Sequence, residues 1–133
     1  MTDKKILVYL VEDEPEIRRQ QERLLRLQDS ILLIGSAGTG EEAVKDILLL
    51  KPEIVLLDLG LPGIDGIEVT RRIKKKNDKI EIIIFTIFDE ENRVLAAIKA
   101  GAAGYLHKGM NSQKMVDAIK EVSAGGCVIQ CQL

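Results

Sequence analysis

The chain has 133 residues, 46% hydrophobic and 30% charged, the size and composition of one ordinary soluble globular domain that buries its core without covalent staples. A formal net charge of -2 excludes the basic footprint of a chain that itself grips nucleic acid, and no apolar run approaches the roughly 20 residues of a membrane span. The start, Met-Thr-Asp-Lys-Lys, lacks a signal-peptide pattern; Cys127 and Cys131 are too few for a disulfide framework, and with His107 the single histidine they do not complete a zinc site, so free thiols in a reducing cytoplasm are expected.

In chain order, strands and helices alternate. Residues 6–11, Ile-Leu-Val-Tyr-Leu-Val, form an unbroken apolar run that predicts a buried strand. Glu14-Pro15 opens a helix with proline at its first position, where the missing N–H costs nothing, and Ile17, Leu24, Leu25 and Leu27 are its apolar residues. A second strand is expected over 31–34. Thr39-Gly-Glu-Glu42 is a capping box for a helix carrying Ala43, Val44, Ile47 and Leu48, which Lys51-Pro52 stops. The third strand, 54–57, is apolar throughout, as a strand covered on both faces requires. Asp58 follows it directly, and Pro62-Gly63 with Asp65-Gly66 forces a loop.

A third helix is expected over 66–77, basic toward its end, and a fourth strand over 80–85. Asp89 is the expected cap of a fourth helix with Val94, Leu95 and Ile98 on one face and Gly101 past its end. Residues 104–107 read as a short fifth strand. Asn111 or Ser112 begins the last helix, with Met115, Val116, Ile119 and Val122 inward and Gly125-Gly126 at its end. Five strands alternating with five helices at crossover spacing predict a doubly wound parallel sheet in one α/β domain. There is no internal repeat or low-complexity linker.

In a parallel sheet the carboxyl ends of all strands share one edge, the edge where such folds bind ligands. Here the first strand ends in Glu12-Asp13, the third in Asp58, the fourth in Thr86 and the fifth in His107-Lys108. Carboxylates gathered at one point repel unless a cation sits among them, and an all-oxygen set suits Mg²⁺. Lys108 and Thr86 supply a point charge and a hydroxyl for phosphoryl oxygens.

The combination Val11-Glu12-Asp13-Glu14-Pro15, Asp58-Leu-Gly-Leu-Pro62-Gly63-Ile-Asp65-Gly66, Thr86 and Tyr105-Leu-His-Lys108 resembles the receiver domains of bacterial two-component response regulators, over about residues 4 to 125. Ala100-Gly-Ala-Ala-Gly104-Tyr-Leu, with Gly125-Gly126, further resembles the subfamily whose receivers precede a helix-turn-helix output domain. The resemblance implies a flavodoxin-like five-stranded sheet of order 2-1-3-4-5 with five helices, spanning residues 1–125, and a tail or start of a linker over 126–133. It implies that Asp58 accepts a phosphoryl group from a sensor histidine kinase. Glu12, Asp13, Asp58 and the Gly60 main-chain carbonyl would bind Mg²⁺, Thr86 and Lys108 the phosphoryl oxygens, and Tyr105 would be the switch aromatic that turns inward with Thr86. The implied partners are the kinase and a second copy of the chain, with DNA reached only through an output domain outside this chain, no membrane contact and a cytoplasmic location. The role is that of a signalling module rather than an enzyme.

Three positions depart from the resemblance: Gly109 where many relatives have proline, Gly60 with no side chain at a position that often helps set phosphoryl lifetime, and Ile87 where a small residue is usual. The competing reading is an Mg²⁺-dependent phosphatase-like hydrolase with Asp58 as nucleophile. Such enzymes commonly place a second acid two residues on, and that residue is Gly60. An inert receiver-like protein would have a broken acid set, whereas Glu12, Asp13 and Asp58 are all present. The glycine-rich Gly35-Ser-Ala-Gly38-Thr-Gly40 matches neither phosphate-binding fingerprint, and the basic 71–76 run reads as a solvated helix end.

Overall fold

The computed structural model describes residues 4–87 and 91–129, and of Glu91 and Ile129 the backbone alone. The expected order is present: β1 (Ile6–Val11), α1 (Pro15–Arg26), β2 (Ile31–Ala37), α2 (Gly40–Leu50), β3 (Ile54–Leu57), α3 (Gly66–Lys76), β4 (Glu81–Thr86), α4 (Glu91–Ala100), β5 (Gly104–His107) and α5 (Ser112–Ser123). The five strands lie parallel in the order β2-β1-β3-β4-β5. One element was not expected. A two-residue strand, β6 (Val128–Ile129), lies within the expected 126–133 tail, pairs with β5 and extends the sheet.

Strand alternation divides the interior in two. Tyr9, Val11, Val55, Leu57, Ile82, Ile84 and Tyr105 meet α2, α3 and α4 through Ala43, Ile47, Val69, Ile73, Val94 and Ala97. Val8, Leu10, Ile54, Leu56, Ile83, Phe85 and Leu106 meet α1 and α5 through Leu25, Met115, Val116, Ile119 and Val122. Both faces of β1, β3 and β4 are therefore apolar, and each fully buried aliphatic side chain contributes roughly 1.5–3 kcal/mol. The strands become a rigid platform on which a terminal carboxylate can be held.

Thr39 and Asn111 are helix caps as expected, and Asp65 is a further cap that the sequence reading did not name. Thr39, Asp65 and Asn111 accept hydrogen bonds from the amides of Glu42 (3.3 Å), Glu68 (2.9 Å) and Lys114 (2.9 Å). The predicted Asp89 cap lies outside the described residues, as does Cys131, while Cys127 is a free, exposed thiol. β2 runs three residues beyond the expected 31–34, through Gly35-Ser36-Ala37, with a register shift opposite Val8/Tyr9. In α4 the inward pair is Val94 and Ala97; Leu95 and Ile98 are 50% and 40% exposed. A short helix over a twisted sheet buries a stripe narrower than its apolar content, and the small Ala97 takes the close contact. For the same reason Leu25 is the buried residue of α1, while Ile17 and Leu27 are exposed. Among the described residues no helix is long and apolar enough to cross a membrane.

Candidate phosphoacceptor and cation site

The structure brings the predicted residues together at the carboxyl edge of β1, β3, β4 and β5. Asp58 begins where β3 ends; its amide still bonds to Val11 O at 3.2 Å, and the residue is 7% exposed. One carboxylate oxygen, Oδ1, accepts from the Thr86 hydroxyl at 2.8 Å and from the Gly60 amide at 3.3 Å. The other, Oδ2, accepts from Lys108 Nζ at 2.7 Å. Lys108 Nζ also forms a short ion pair with Glu12 Oε1, while Glu12 Oε2 accepts from the Glu14 amide at 3.1 Å. Glu12, Asp13 and Asp58 each offer a carboxylate oxygen within 4.8 Å of the others, the spacing of a set that could share one cation.

Burial governs the electrostatics. Glu12 is 1% exposed, and loss of solvent pushes its carboxyl above the usual carboxylate range, against the opposing pull of the Lys108 ammonium and the Glu14 amide. Burial also acts to lower Lys108, but hydrogen bonds and charge from Asp58 and Glu12 outweigh it, and the ammonium is held above its ordinary value. Lys108 thus stays charged and holds two carboxylates that would otherwise repel.

Thr86 and Tyr105 lie on neighbouring strands of the sheet. Ile84 pairs with Tyr105 in register, and Thr86 is on the same face of β4 as Ile84, so hydroxyl and ring share one side. Thr86 already bonds Asp58, and Tyr105 is already buried at 1% exposure, packed in the core with α4. The inward arrangement of both residues is the one the structure holds. The peptide bonds are all trans among the described residues, including that before Gly109, whose amide donates to His107 Nδ1 at 2.9 Å.

Two contributors escaped the sequence reading. Arg18 donates to the Glu12 carbonyl at 2.8 Å, and Glu41 accepts from the Ile64 amide at 2.7 Å, tying α2 to the loop after Asp58. Gly63, at φ 75°, sits against that Glu41 carboxylate. No pattern in the chain marks either contact, because both are side-chain bonds to main-chain atoms, which every residue carries. The glycine-rich 35–40 run is also explained. Added side chains would strike the Tyr9 ring at Gly35 (2.8 Å), the Arg18 guanidinium at Gly38 (2.7 Å) and Ile64 at Gly40 (2.5 Å), so these are close-packing glycines and not a phosphate loop. The basic 71–76 run is a solvated helix end for Arg71 and Arg72, both paired with Glu68, while Lys74 turns back to the carbonyls of Asp78 and Ile80.

Sheet order and edge residues define the class, a receiver-type α/β domain. The chain belongs to the response regulator receiver domain family, whose model matches residues 8–120. It is 37% identical over 128 residues to the response regulator GacA of Pseudomonas viridiflava, covering 96% of this chain and 60% of that protein. It is 31% identical over 122 residues to the nitrate/nitrite response regulator protein NarL of Escherichia coli strain K12, covering 92% of this chain and 56% of that protein. Among solved structures, a LuxR-family two-component response regulator from Aurantimonas sp. SI85-9A1 matches with TM-score 0.90 and 33% identity, covering 94% of this chain and 89% of that one. The receiver domain of the putative regulator NarL from Mycobacterium tuberculosis matches with TM-score 0.88 and 30% identity, covering 92% of this chain and 98% of that one. The chain thus spans about 60% of the length of the curated relatives it matches.

Proposed function

We propose that this receiver domain takes a phosphoryl group onto Asp58 in an Mg²⁺-dependent reaction and passes the change to partners through Thr86 and Tyr105. The observation that carries the reading is the double anchoring of Asp58, with Thr86 on one oxygen and Lys108 on the other, beside two further carboxylates. An Asp58 oxygen attacks phosphorus; the bond from phosphorus to the donor's imidazole nitrogen, or to the oxygen of a small acyl phosphate, breaks, and the electron pair leaves with the donor. Lys108 and Thr86, freed from the carboxylate, bind the equatorial oxygens as charge spreads over them. Glu12, Asp13, Asp58 and the Gly60 carbonyl would hold Mg²⁺, which when bound neutralises charge on the transferring group. The set fits that ion, being all oxygen and, at Asp13, open to solvent.

Approach of a sensor kinase is favoured by an apolar groove of about 400 Å³ between α1 and α5, bordered by Lys108 and lined by Ile17, Leu24, Phe85, Met110 and Met115. Phosphorylation would alter contacts with a second copy of the chain or with an output domain continuing from residues 126–133, and regulation of transcription would follow through that domain's DNA contacts. A hydrolase reading gains no support from Gly60, which offers no second acid.

Incubation with Mg²⁺ and acetyl phosphate, followed by intact mass, should add one phosphoryl group to the wild type and none to Asp58→Asn, whose amide is not a nucleophile. Stoichiometric labelling of that variant would put the acceptor elsewhere. Labelling that persists with Mg²⁺ chelated would remove the metal from the reaction.

A further inference from the structure

The peptide between Glu12 and Asp13 is held from outside the sheet. β1 ends at Val11, yet the Glu12 amide still donates to Ala37 O at 3.0 Å. Its carbonyl takes a donor from helix α1, Arg18 Nη1 at 2.8 Å. The guanidinium reaches that carbonyl by passing over Gly38, where a Cβ would stand 2.7 Å from Nη1 and 3.8 Å from the carbonyl oxygen. Gly38 has no positive φ. The position therefore uses the missing side chain and not backbone freedom.

This contact bears on the cation site through covalent geometry. A peptide unit is planar, so fixing the Glu12 carbonyl also fixes the direction in which the chain enters Asp13. Glu12 has its own side-chain clamps in Lys108 and the Glu14 amide. Asp13 is exposed, and packing does not aim its carboxylate. Its direction depends on the backbone that Arg18 holds.

We infer that Arg18 is a positioning residue for the cation site, aiming Asp13 through the Glu12 carbonyl, and that Gly38 keeps open the passage its guanidinium needs. The inference rests on the proposed Mg²⁺ binding at Glu12, Asp13 and Asp58. It adds to that site a residue from α1 and one from the loop before α2, neither of which is among the groups that would hold the ion.

The test is calorimetric titration of Mg²⁺ into the full chain as wild type, Arg18→Met, Arg18→Lys, Gly38→Ala and the Arg18→Met/Gly38→Ala double variant, with thermal melts in chelator alongside. Arg18→Met keeps the stem and removes the donor; Gly38→Ala displaces the guanidinium without altering it. Each should weaken Mg²⁺ binding about tenfold, the low end of what losing an outer partner of a metal ligand costs. Melting in chelator should stay near wild type, and Arg18→Lys, which keeps a donor, should fall between wild type and Arg18→Met. The double variant should bind no more weakly than either single, because both changes remove one contact. Additive losses, unchanged Mg²⁺ affinity in Arg18→Met, or a loss matched by an equally lowered melting temperature in chelator would overturn the inference. A wild-type chain that binds no Mg²⁺ would overturn the cation reading itself, a result distinct from wild-type binding that Arg18 leaves untouched.

Discussion

Ile87 follows directly on the hydroxyl that holds Asp58, and the residue before it is fixed by β4 and by the bond from the Lys108 amide to Thr86 O at 2.9 Å. Its side chain is 63% exposed and stands with Phe85, Lys108 and Met110 on the wall of the groove between α1 and α5. A branched four-carbon side chain bordering Lys108 narrows the approach to Asp58 from that groove. Water attacking an acyl phosphate must arrive roughly in line with the leaving carboxylate oxygen, so a small obstruction costs rate. Gly60 has no side chain with which to guide that water. Ile87→Ala is therefore expected to accelerate both phosphorylation by small donors and loss of the phosphoryl group, each by about tenfold, equivalent to roughly 1.4 kcal/mol of barrier. Decay is followed by intact mass after donor removal with Mg²⁺ present. Rates equal to or below those of wild type would show that the side chain does not border the path.

Among the secondary elements, α2 offers the sharpest stability forecast. Its C-cap, Lys51, is held in the left-handed region at φ 53°, ψ 58°, the single non-glycine residue with positive φ among those described, and its amide bonds back to Ile47 O at 2.9 Å. The conformation costs a residue with a Cβ roughly 1 kcal/mol that glycine does not incur. Lys51 is exposed, so no packing is lost on its removal. Lys51→Gly should stabilise the domain by up to about 0.6 kcal/mol, net of the extra freedom glycine has when unfolded. The midpoint of urea unfolding should rise with unchanged slope; a lower midpoint would mean that the lysine stem packs more than its exposure suggests. The same elements indicate how far the sequence could be read. Strands buried on both faces, β1 and β3, were legible to the residue because an apolar run between turn signals admits few alternatives, and the acids at their carboxyl ends, with Thr86 ending β4 and Lys108 following β5, marked the candidate site. β2 was read short because Gly35 and Ser36 weaken the strand pattern, while its last residues are kept in the sheet by pairing with β1. β6 was missed because two residues carry no period, and only the free edge of β5 makes them a strand. Arg18 was illegible because its contact is to a main-chain carbonyl, and Glu41 because its contact is both long-range and to backbone.

Across the whole molecule, the fold concentrates negative charge where it can be used and bears a cost for doing so. Glu12, Asp13 and Asp58 each have a carboxylate oxygen within 4.8 Å of the others, and the Lys108 ammonium pairs with Glu12 and Asp58. Two unit charges at such a separation repel by about 1 kcal/mol even at the dielectric of bulk water, and by more where Glu12 and Asp58 are buried. Unfolding releases that repulsion; a bound divalent cation reverses its sign. Asp13 is the member through which the two effects can be separated, since it is exposed and takes no part in the Lys108 bridge. In chelator, Asp13→Asn is expected to unfold with about 0.5–1 kcal/mol more stability than wild type, because one like charge has been removed and little packing lost. In Mg²⁺ at about a hundred times its Kd, wild type should gain roughly 2.7 kcal/mol from linkage to the folded state. The variant, lacking one carboxylate of the proposed cation set, should gain much less, so the order of the two proteins inverts between the two conditions. Urea unfolding of both, with chelator and with Mg²⁺, measures the crossing directly. A variant less stable than wild type in chelator would mean that Asp13 supports the fold in its own right, and that the repulsion among these carboxylates is already relieved by Lys108.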